Sequence, residues 1–115
     1  MSGPLVFILA GEPSGDLHGG ALARELKARH PGVRLVGIGG PAMRAAGVEL
    51  RHALDEFSVL GFSEVLGRLP FFFRVLAELR AEFKSVPPAV FIPIDFPDFN
   101  LRAAAHARAA GVPVL

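Results

Sequence analysis

The chain of 115 residues has 51% hydrophobic residues and no cysteine, which excludes disulfides and thiolate metal sites and leaves a packed core to hold the fold. Its 12 basic and 11 acidic residues are interspersed and give a formal net charge of +1, so we expect no binding of nucleic acid through its phosphates. The apolar segment 4–10 is too short to span a bilayer and lacks a preceding basic region, so we expect neither a transmembrane helix nor a signal peptide there.

Apolar runs bounded by glycine or proline alternate with amphipathic stretches along the chain. In chain order we expect a strand at 5–10, a helix at 16–30, a strand at 33–38, a short helix at 41–47, a strand at 48–55, helices at 57–67 and 70–84, a strand at 89–95, a helix at 99–110 and a fifth strand at 111–115. This alternation predicts one Rossmann-like α/β domain over residues 1–115, built on a doubly wound parallel sheet. Because the chain stops inside its last strand, we expect the domain to continue beyond it or to be covered by a partner.

Ligands of open parallel sheets bind beyond the carboxyl ends of the strands, and the first loop expected there is G-E-P-S-G-D at 11–16. Because this loop opens a helix, its backbone N–H groups could bind an anion or a sugar hydroxyl. It has neither the lysine of a Walker A loop nor the spacing of G-x-G-x-x-G, which disfavours a flavodoxin-like nucleotide binder. The alternative is a tight turn in which Glu12 and Ser14 are solvated and Asp16 caps the helix.

Two pairs of glycines also require an explanation. Gly19 and Gly20 lie early in the first predicted helix, where each costs about 1 kcal/mol relative to alanine, so either a neighbouring backbone or a ligand must come close to them. In the second loop, G-I-G-G-P at 37–41, Gly39 and Pro41 could approach a ligand or simply form the turn from strand to helix.

The third loop, D-F-P-D-F-N at 95–100, follows a buried apolar strand. Burial at that place would raise the pKa of Asp95 and fit it for proton transfer, so Asp95 is the candidate general base. Asp98 is expected to cap the next helix, and a magnesium site of Asp95 with Asp98 is an alternative. Asn100 either orients a substrate hydroxyl or completes the turn. Pro93 removes a ladder donor from the preceding strand, which predicts a bulge or a sheet edge.

Two phenylalanines fall outside the core positions of the helix predicted at 70–84. With Arg74 and other basic residues nearby, Phe71 and Phe73 could form an exposed apolar patch that contacts acyl chains or an anionic membrane surface. The alternative is that both rings cover another element of the fold.

Four segments, taken together, resemble the lipid-A-disaccharide synthase family: A-G-E-P-S-G-D-L-H-G at 10–19, G-I-G-G-P-A-M at 37–43, S-V-L-G-F-S-E-V-L at 58–66 and I-D-F-P-D-F-N at 94–100. The resemblance implies the N-terminal, acceptor-side half of a GT-B fold. It also implies transfer of 2,3-diacylglucosamine from its UDP conjugate to 2,3-diacylglucosamine 1-phosphate, with release of UDP and without a metal or cofactor. The reaction would take place at the inner face of the cytoplasmic membrane, with the protein bound peripherally.

The same resemblance implies roles for individual residues. Asp95 would be the general base for the acceptor 6-hydroxyl, and the substrate cleft would be lined by Glu12, Ser14, Asp16, Gly39 and Pro41. The uracil and diphosphate pocket belongs to a C-terminal domain that this sequence lacks, so we expect the chain alone to be inactive. A non-catalytic module that binds a lipid or a sugar is the alternative, and self-association is left open.

Overall fold

The computed structural model describes residues 3–57 and 62–115. In chain order its elements are β1 (Leu5–Ala10), α1 (Pro13–Arg29), β2 (Arg34–Gly39), α2 (Pro41–Ala45), β3 (Glu49–Ala53), a 3₁₀ turn (Leu54–Phe57), α3 (Phe62–Ser85), β4 (Val90–Ile94) and α4 (Pro97–Ala109).

The strands form one parallel sheet in the order β3-β2-β1-β4. Every residue of β1 is buried, because side chains of alternate residues enter two separate cores. Phe7 and Leu9 face α3 and α4, whereas Val6 and Ile8 face α1 and α2. With helices on both faces of a parallel sheet, the predicted Rossmann-like α/β class is confirmed.

The core beneath α3 is the larger of the two. Val75, Leu76, Leu79 and Phe83 are all buried there, and Phe83 packs edge-on against Phe7 with ring centroids 5.5 Å apart. These four burials, at about 1.5–3 kcal/mol each, stabilise the part of α3 that follows Pro70.

The prediction of two helices separated near Pro70 is wrong, since α3 runs through this proline, and Arg68 before it packs over the ring of Phe71 after it at 4.3 Å. The expected start of the first of those helices, at Phe57, lies in the 3₁₀ turn, and its next residues, 58–61, lie outside the described residues. The expected fifth strand is, within the described chain, a single parallel bridge between Phe91 and Val114.

Two helices begin earlier than expected, and for the same reason. Proline occupies the first helical position of α1 and of α4, where its fixed φ fits the helix and its missing N–H is not needed. The N-cap residues are therefore Glu12 and Phe96, and the expectation that Asp16 and Asp98 cap these helices is wrong.

Pro93 lies at the outer edge of the sheet without a bulge, because the register of β4 with β1 is unbroken. Phe91, two residues earlier, directs its N–H and C=O to Pro113 and Leu115, on the side away from β1. Since alternate residues of a strand direct their backbone groups to the same side, Pro93 removes no hydrogen bond from the pairing with β1. The edge interpretation is confirmed.

The glycine pair in α1 is explained by close packing of α1 on α2. A Cβ atom on Gly19 would lie 2.7 Å from Met43 Sδ, and one on Gly20 would lie 2.9 Å from the carbonyl of Ala42. A side chain at Gly20 would therefore collide with backbone, and one at Gly19 would require the buried side chain of Met43 to move. Contact with a neighbouring backbone and side chain, rather than with a ligand, therefore accounts for both glycines.

Candidate active-site crevice

The buried carboxylate of Asp16 joins the first two helices at the carboxyl edge of the sheet. It is 4% exposed, and it accepts hydrogen bonds from the N–H groups of Gly40 at 2.8 Å, Ala42 at 2.9 Å and Met43 at 3.0 Å. Pro41 has no N–H, and the amide of the residue after Met43 already donates to the carbonyl of Gly40. Asp16 therefore satisfies every remaining donor at the start of α2. Asp16 thus caps α2 rather than its own helix.

The glycine-rich turn before α2 is consequently built around a protein carboxylate. A Cβ atom on Gly40 would lie 2.8 Å from Asp16 Oδ2, and Gly39 packs directly against the side chain of Met43. This geometry agrees with the interpretation of residues 37–41 as a turn. Substrate contacts of Asp16, Gly39 and Pro41 stay predictions, and only Pro41 is exposed.

A cavity of about 660 Å³, the Pro41 cavity, opens beyond the ends of β1, β2 and β3. Its lining is mostly apolar and consists of Gly11, Pro13, Gly40, Pro41, Arg44, Ala45, Leu50, Ala53, Leu54 and Asp55. Glu12 and Ser14 are exposed on either side of Pro13 but do not line the cavity. This volume lies in the range of pockets that hold small organic ligands.

Asp95 lies just past the end of β4 and is exposed, so the expectation that burial tunes this carboxylate is wrong. The physical reason is the backbone: the chain turns from β4 into α4 at Asp95, which has a φ of 49° in the left-handed region, at the open edge of the sheet. Aspartate is among the few residues enriched in this conformation.

Asp95 lines a second cavity of about 480 Å³, the Asp95 cavity, with Pro93, Phe96, Asn100, Leu101, Ala104, Arg108, Val114 and Leu115. It is separate from the Pro41 cavity. Phe96 lines the Asp95 cavity and packs against Gly11, which lines the Pro41 cavity. The ring of Phe96 leaves no room for a Cβ atom on Gly11. The structure thus brings Asp95 and Asn100 together at one cavity, whereas Pro41 lines the other.

Asn100 lies beneath the turn that carries Asp95 and is only 8% exposed. The side-chain amide of Asn100 satisfies its neighbours in the orientation that turns Oδ1 toward the backbone. In that orientation Oδ1 accepts hydrogen bonds from the N–H groups of Ile94 at 3.2 Å and Phe96 at 3.3 Å. Its own backbone N–H donates to the carbonyl of Phe96 at 2.7 Å. The geometry shows Asn100 completing the turn, and its contact with a substrate hydroxyl stays a prediction.

Phe71 covers another element of the fold. Its ring packs edge-on against Phe57, with centroids 5.2 Å apart. The guanidinium groups of Arg68 and Arg74 lie 4.3 Å and 5.3 Å from its centroid, a cation–π arrangement on a half-buried ring. Phe71 is therefore not part of an exposed apolar patch, and the alternative that its ring covers another element is the one observed.

Phe73, in contrast, is 53% exposed on the outer face of α3. Leu66 and Leu69 are also exposed and lie seven and four residues earlier, which places all three on one side of the helix. Arg102 lies 5.9 Å from the Phe73 ring, and Arg80 lines the same shallow groove between α3 and α4. We call the surface of Leu66, Leu69, Phe73, Arg80 and Arg102 the Phe73 patch.

Sequence reasoning missed an ion-pair cluster that anchors the segment after β3. His52 contacts Glu56 through Nδ1 at 3.2 Å and Glu78 of α3 through Nε2 at 2.7 Å. Burial opposes protonation of His52, but its hydrogen bonds with Glu78 and Glu56 outweigh that effect and raise its pKa. His52 and Glu56 are four residues apart, and this spacing could have suggested their contact from the sequence. The contact with Glu78 could not have been found in this way, because Glu78 is 26 residues away along the chain. The cluster ties α3 to the segment whose residues line the Pro41 cavity.

Within residues 3–57 and 62–115, no three histidine, aspartate or glutamate side chains are grouped so that they could hold a metal ion. No helix in these ranges is both long and apolar enough to cross a membrane.

Comparisons with known proteins agree with the resemblance. The sequence model of the family described as lipid-A-disaccharide synthetase matches residues 6–114. Proteins named lipid-A-disaccharide synthase from Aeromonas hydrophila and Vibrio parahaemolyticus are each 47% identical to this chain, over 93% and 97% of it. One from Coxiella burnetii is 43% identical over 100% of it. The chain spans only 28%, 30% and 31% of the length of these three relatives. Because the family match and the identities extend over nearly the whole chain, it belongs to the lipid-A-disaccharide synthetase family.

Proposed function

We propose that this chain is the acceptor-side domain of a lipid A glycosyltransferase. The complete enzyme would transfer 2,3-diacylglucosamine from its UDP conjugate to 2,3-diacylglucosamine 1-phosphate and release UDP. Family membership supports the reaction class, and the names of the relatives support the product. The observation that carries the proposal is the exposed carboxylate of Asp95, which lines a cavity at the carboxyl end of β4.

In this reaction Asp95 accepts the proton of the acceptor 6-hydroxyl as the oxygen attacks the anomeric carbon of the donor sugar. The bond from that carbon to the diphosphate breaks, and UDP departs with the electron pair. An exposed carboxylate at the mouth of a cavity can be reached by a sugar hydroxyl at hydrogen-bond distance. The diphosphate needs stabilisation as charge develops on it, which we assign to a separate C-terminal donor-binding domain.

The Pro41 cavity is the second part of the proposed acceptor side. Its apolar walls suit the acyl portion of the substrate, and Arg44 is the cation among its lining residues that could pair with a phosphate. Glu12 and Ser14 are exposed beside it and remain proposed contacts for sugar hydroxyls.

The Phe73 patch supports peripheral binding to the inner face of the cytoplasmic membrane. Exposed apolar side chains with arginines at their border can insert into the headgroup region while the cations pair with anionic lipids. Membrane contact would keep the enzyme near its acylated substrates.

The proposal is tested by replacing Asp95 with asparagine in an active polypeptide that carries this chain together with a donor-binding domain. Loss of a general base lowers the rate by about 100-fold or more, so Asp95→Asn should abolish most transfer. Rates of UDP release and circular dichroism spectra would be compared with those of Asp98→Asn. Asp98 is an exposed carboxylate in the first turn of α4, three residues after Asp95, and its replacement should leave turnover near that of the parent. Near-normal turnover by Asp95→Asn would remove Asp95 as the base.

A non-catalytic module that binds a lipid or a sugar is the second candidate. It is favoured by one observation, that the Pro41 cavity is mostly apolar and so suits an acyl chain whether or not transfer takes place. In that case the two cavities would bind an acylated sugar without turnover.

A further inference from the structure

The backbone at Asp95 adopts a conformation that requires support. Among the described residues other than glycine, Asp95 is the one with a positive φ, 49°. Although aspartate enters the left-handed region more often than most residues, that region is still less favourable for it than the extended one, so neighbouring contacts are needed to fix the conformation. The direction of the Asp95 carboxylate therefore depends on what holds the peptides on either side of it.

Asn100 holds both of those peptides. Its Oδ1 accepts from the N–H groups of Ile94 and Phe96, the residues that flank Asp95. The backbone N–H of Asn100 also donates to the carbonyl of Phe96. Asn100 lies in α4, so both its side chain and its backbone connect this helix to the turn at Asp95. Because Asn100 is 8% exposed, water cannot readily replace these contacts.

The chain just after Asp95 is also fixed by packing. Phe96 stacks on Phe99 with centroids 5.0 Å apart and an interplanar angle of 17°, and it packs against Gly11 on its other side. Two sets of contacts thus hold the peptides around Asp95: the hydrogen bonds of Asn100 and the packing of the Phe96 ring.

We infer that Asn100 is a positioning residue that holds the turn at Asp95 in its left-handed conformation and so directs the Asp95 carboxylate into the Asp95 cavity. The inference rests on the proposed function, because it concerns the proposed base. It assigns Asn100 a role through Asp95 and not through a direct contact with substrate.

Without the Asn100 oxygen, the backbone around Asp95 relaxes toward the extended conformation that aspartate otherwise prefers. The Asp95 carboxylate then no longer points into the Asp95 cavity. A misplaced base lowers the rate of the chemical step but leaves the binding surfaces intact. We therefore expect Asn100→Leu, which removes the acceptor at similar volume, to lower kcat about 10- to 100-fold. The KM for the acceptor should change by less than about threefold.

The experiment compares Asn100→Leu, Asp95→Asn and the double variant in the active polypeptide described above. If Asn100 acts through Asp95, the leucine substitution adds little further loss of kcat once Asp95 is asparagine. A general loss of packing would lower activity in both backgrounds alike. Asn100→Ser, whose shorter side chain cannot reach the two amides, carries the same test if the leucine variant does not fold.

The outcomes separate this inference from the proposed function. Full activity of Asp95→Asn would overturn the assignment of the base. An inactive Asp95→Asn together with a normal kcat for the folded Asn100 variants would overturn the positioning role alone. A large rise in the acceptor KM at unchanged kcat would also contradict it, since that result indicates a direct substrate contact.

Discussion

A single buried carboxylate couples two helices of this domain. Asp16 belongs to α1, yet its hydrogen bonds go to the first turn of α2, whose donors lie 24 to 27 positions away along the chain. A carboxylate at the positive end of a helix is favourable, and three amide donors offset the cost of burying it. The turn between β2 and α2 thereby becomes a fixed wall of the Pro41 cavity.

The stability of the domain should depend strongly on this side chain. Asp16→Ala leaves buried N–H groups without acceptors, and each costs about 1–3 kcal/mol, so we expect the free energy of unfolding to fall by about 3 kcal/mol. Asp16→Asn retains the oxygen but places an amide nitrogen against one of the donors, and an intermediate loss is expected.

Urea unfolding followed by circular dichroism measures these differences. Asp98→Ala is the control, because Asp98 is exposed in the first turn of α4 and its loss should cost less than about 1 kcal/mol. Equal stabilities of Asp16→Ala and Asp98→Ala would contradict the role of Asp16 described here.

At the scale of residues, the sequence could identify which side chains matter but not what they contact. An aspartate before an apolar stripe is typical of an N-cap, and Asp16 and Asp98 fit that pattern locally. In the structure a proline begins each helix, which moves both caps to earlier residues. The burial of Asp16 and the exposure of Asp95 both depend on elements that meet only after folding.

At the scale of elements, α3 has two faces with different surroundings. One face buries Val75, Leu79 and Phe83 in the core, and the other leaves Leu69 and Phe73 exposed beside arginines. The apolar periodicity of this segment predicted the buried face. It could not predict that Phe71 would pack on Phe57, because the 3₁₀ turn that carries Phe57 was expected to begin a helix.

The exposed face of α3 should bind vesicles that contain anionic phospholipid. Replacing Leu69 and Phe73 with serine removes about 1.5–3 kcal/mol of apolar contact, and because about 1.4 kcal/mol corresponds to a factor of ten, vesicle binding should weaken about tenfold or more. Cosedimentation at low and high salt measures the effect, and salt should weaken the parent's binding through its arginines. Val86→Ser, an equally exposed apolar residue just after α3, is the control. Unchanged binding of the double variant would exclude this face as the membrane contact.

At the scale of the whole molecule, the parallel sheet was the most predictable feature. Its central strands are buried on both faces, so they read as continuous apolar runs, and the expected bounds of β1 and β2 lie within one residue of those observed. The two separate cavities were not predictable. Phe96 lines one of them and packs against Gly11, which lines the other, yet the sequence shows Phe96 only as an aromatic residue in a predicted loop.

The proposed division of labour between domains gives a prediction for a polypeptide of these 115 residues. We expect it to release no UDP when given both substrates, because the proposal assigns stabilisation of the departing diphosphate to a separate donor-binding domain. A coupled assay for UDP, with the Vibrio parahaemolyticus relative as positive control, measures this. Release above the rate without protein would show that the chain carries its own donor site.

The contact of Asp16 with α2 has one more consequence, for how a phosphorylated sugar can be recognised. A glycine-rich turn that leads into a helix commonly offers its amides to phosphate, but here a resident anion already occupies them. Its negative charge repels a second anion at that turn. Under the proposed function, a side-chain cation such as Arg44, and not this turn, would pair with the phosphate, so removal of that guanidinium, rather than changes to the glycines, should weaken its binding.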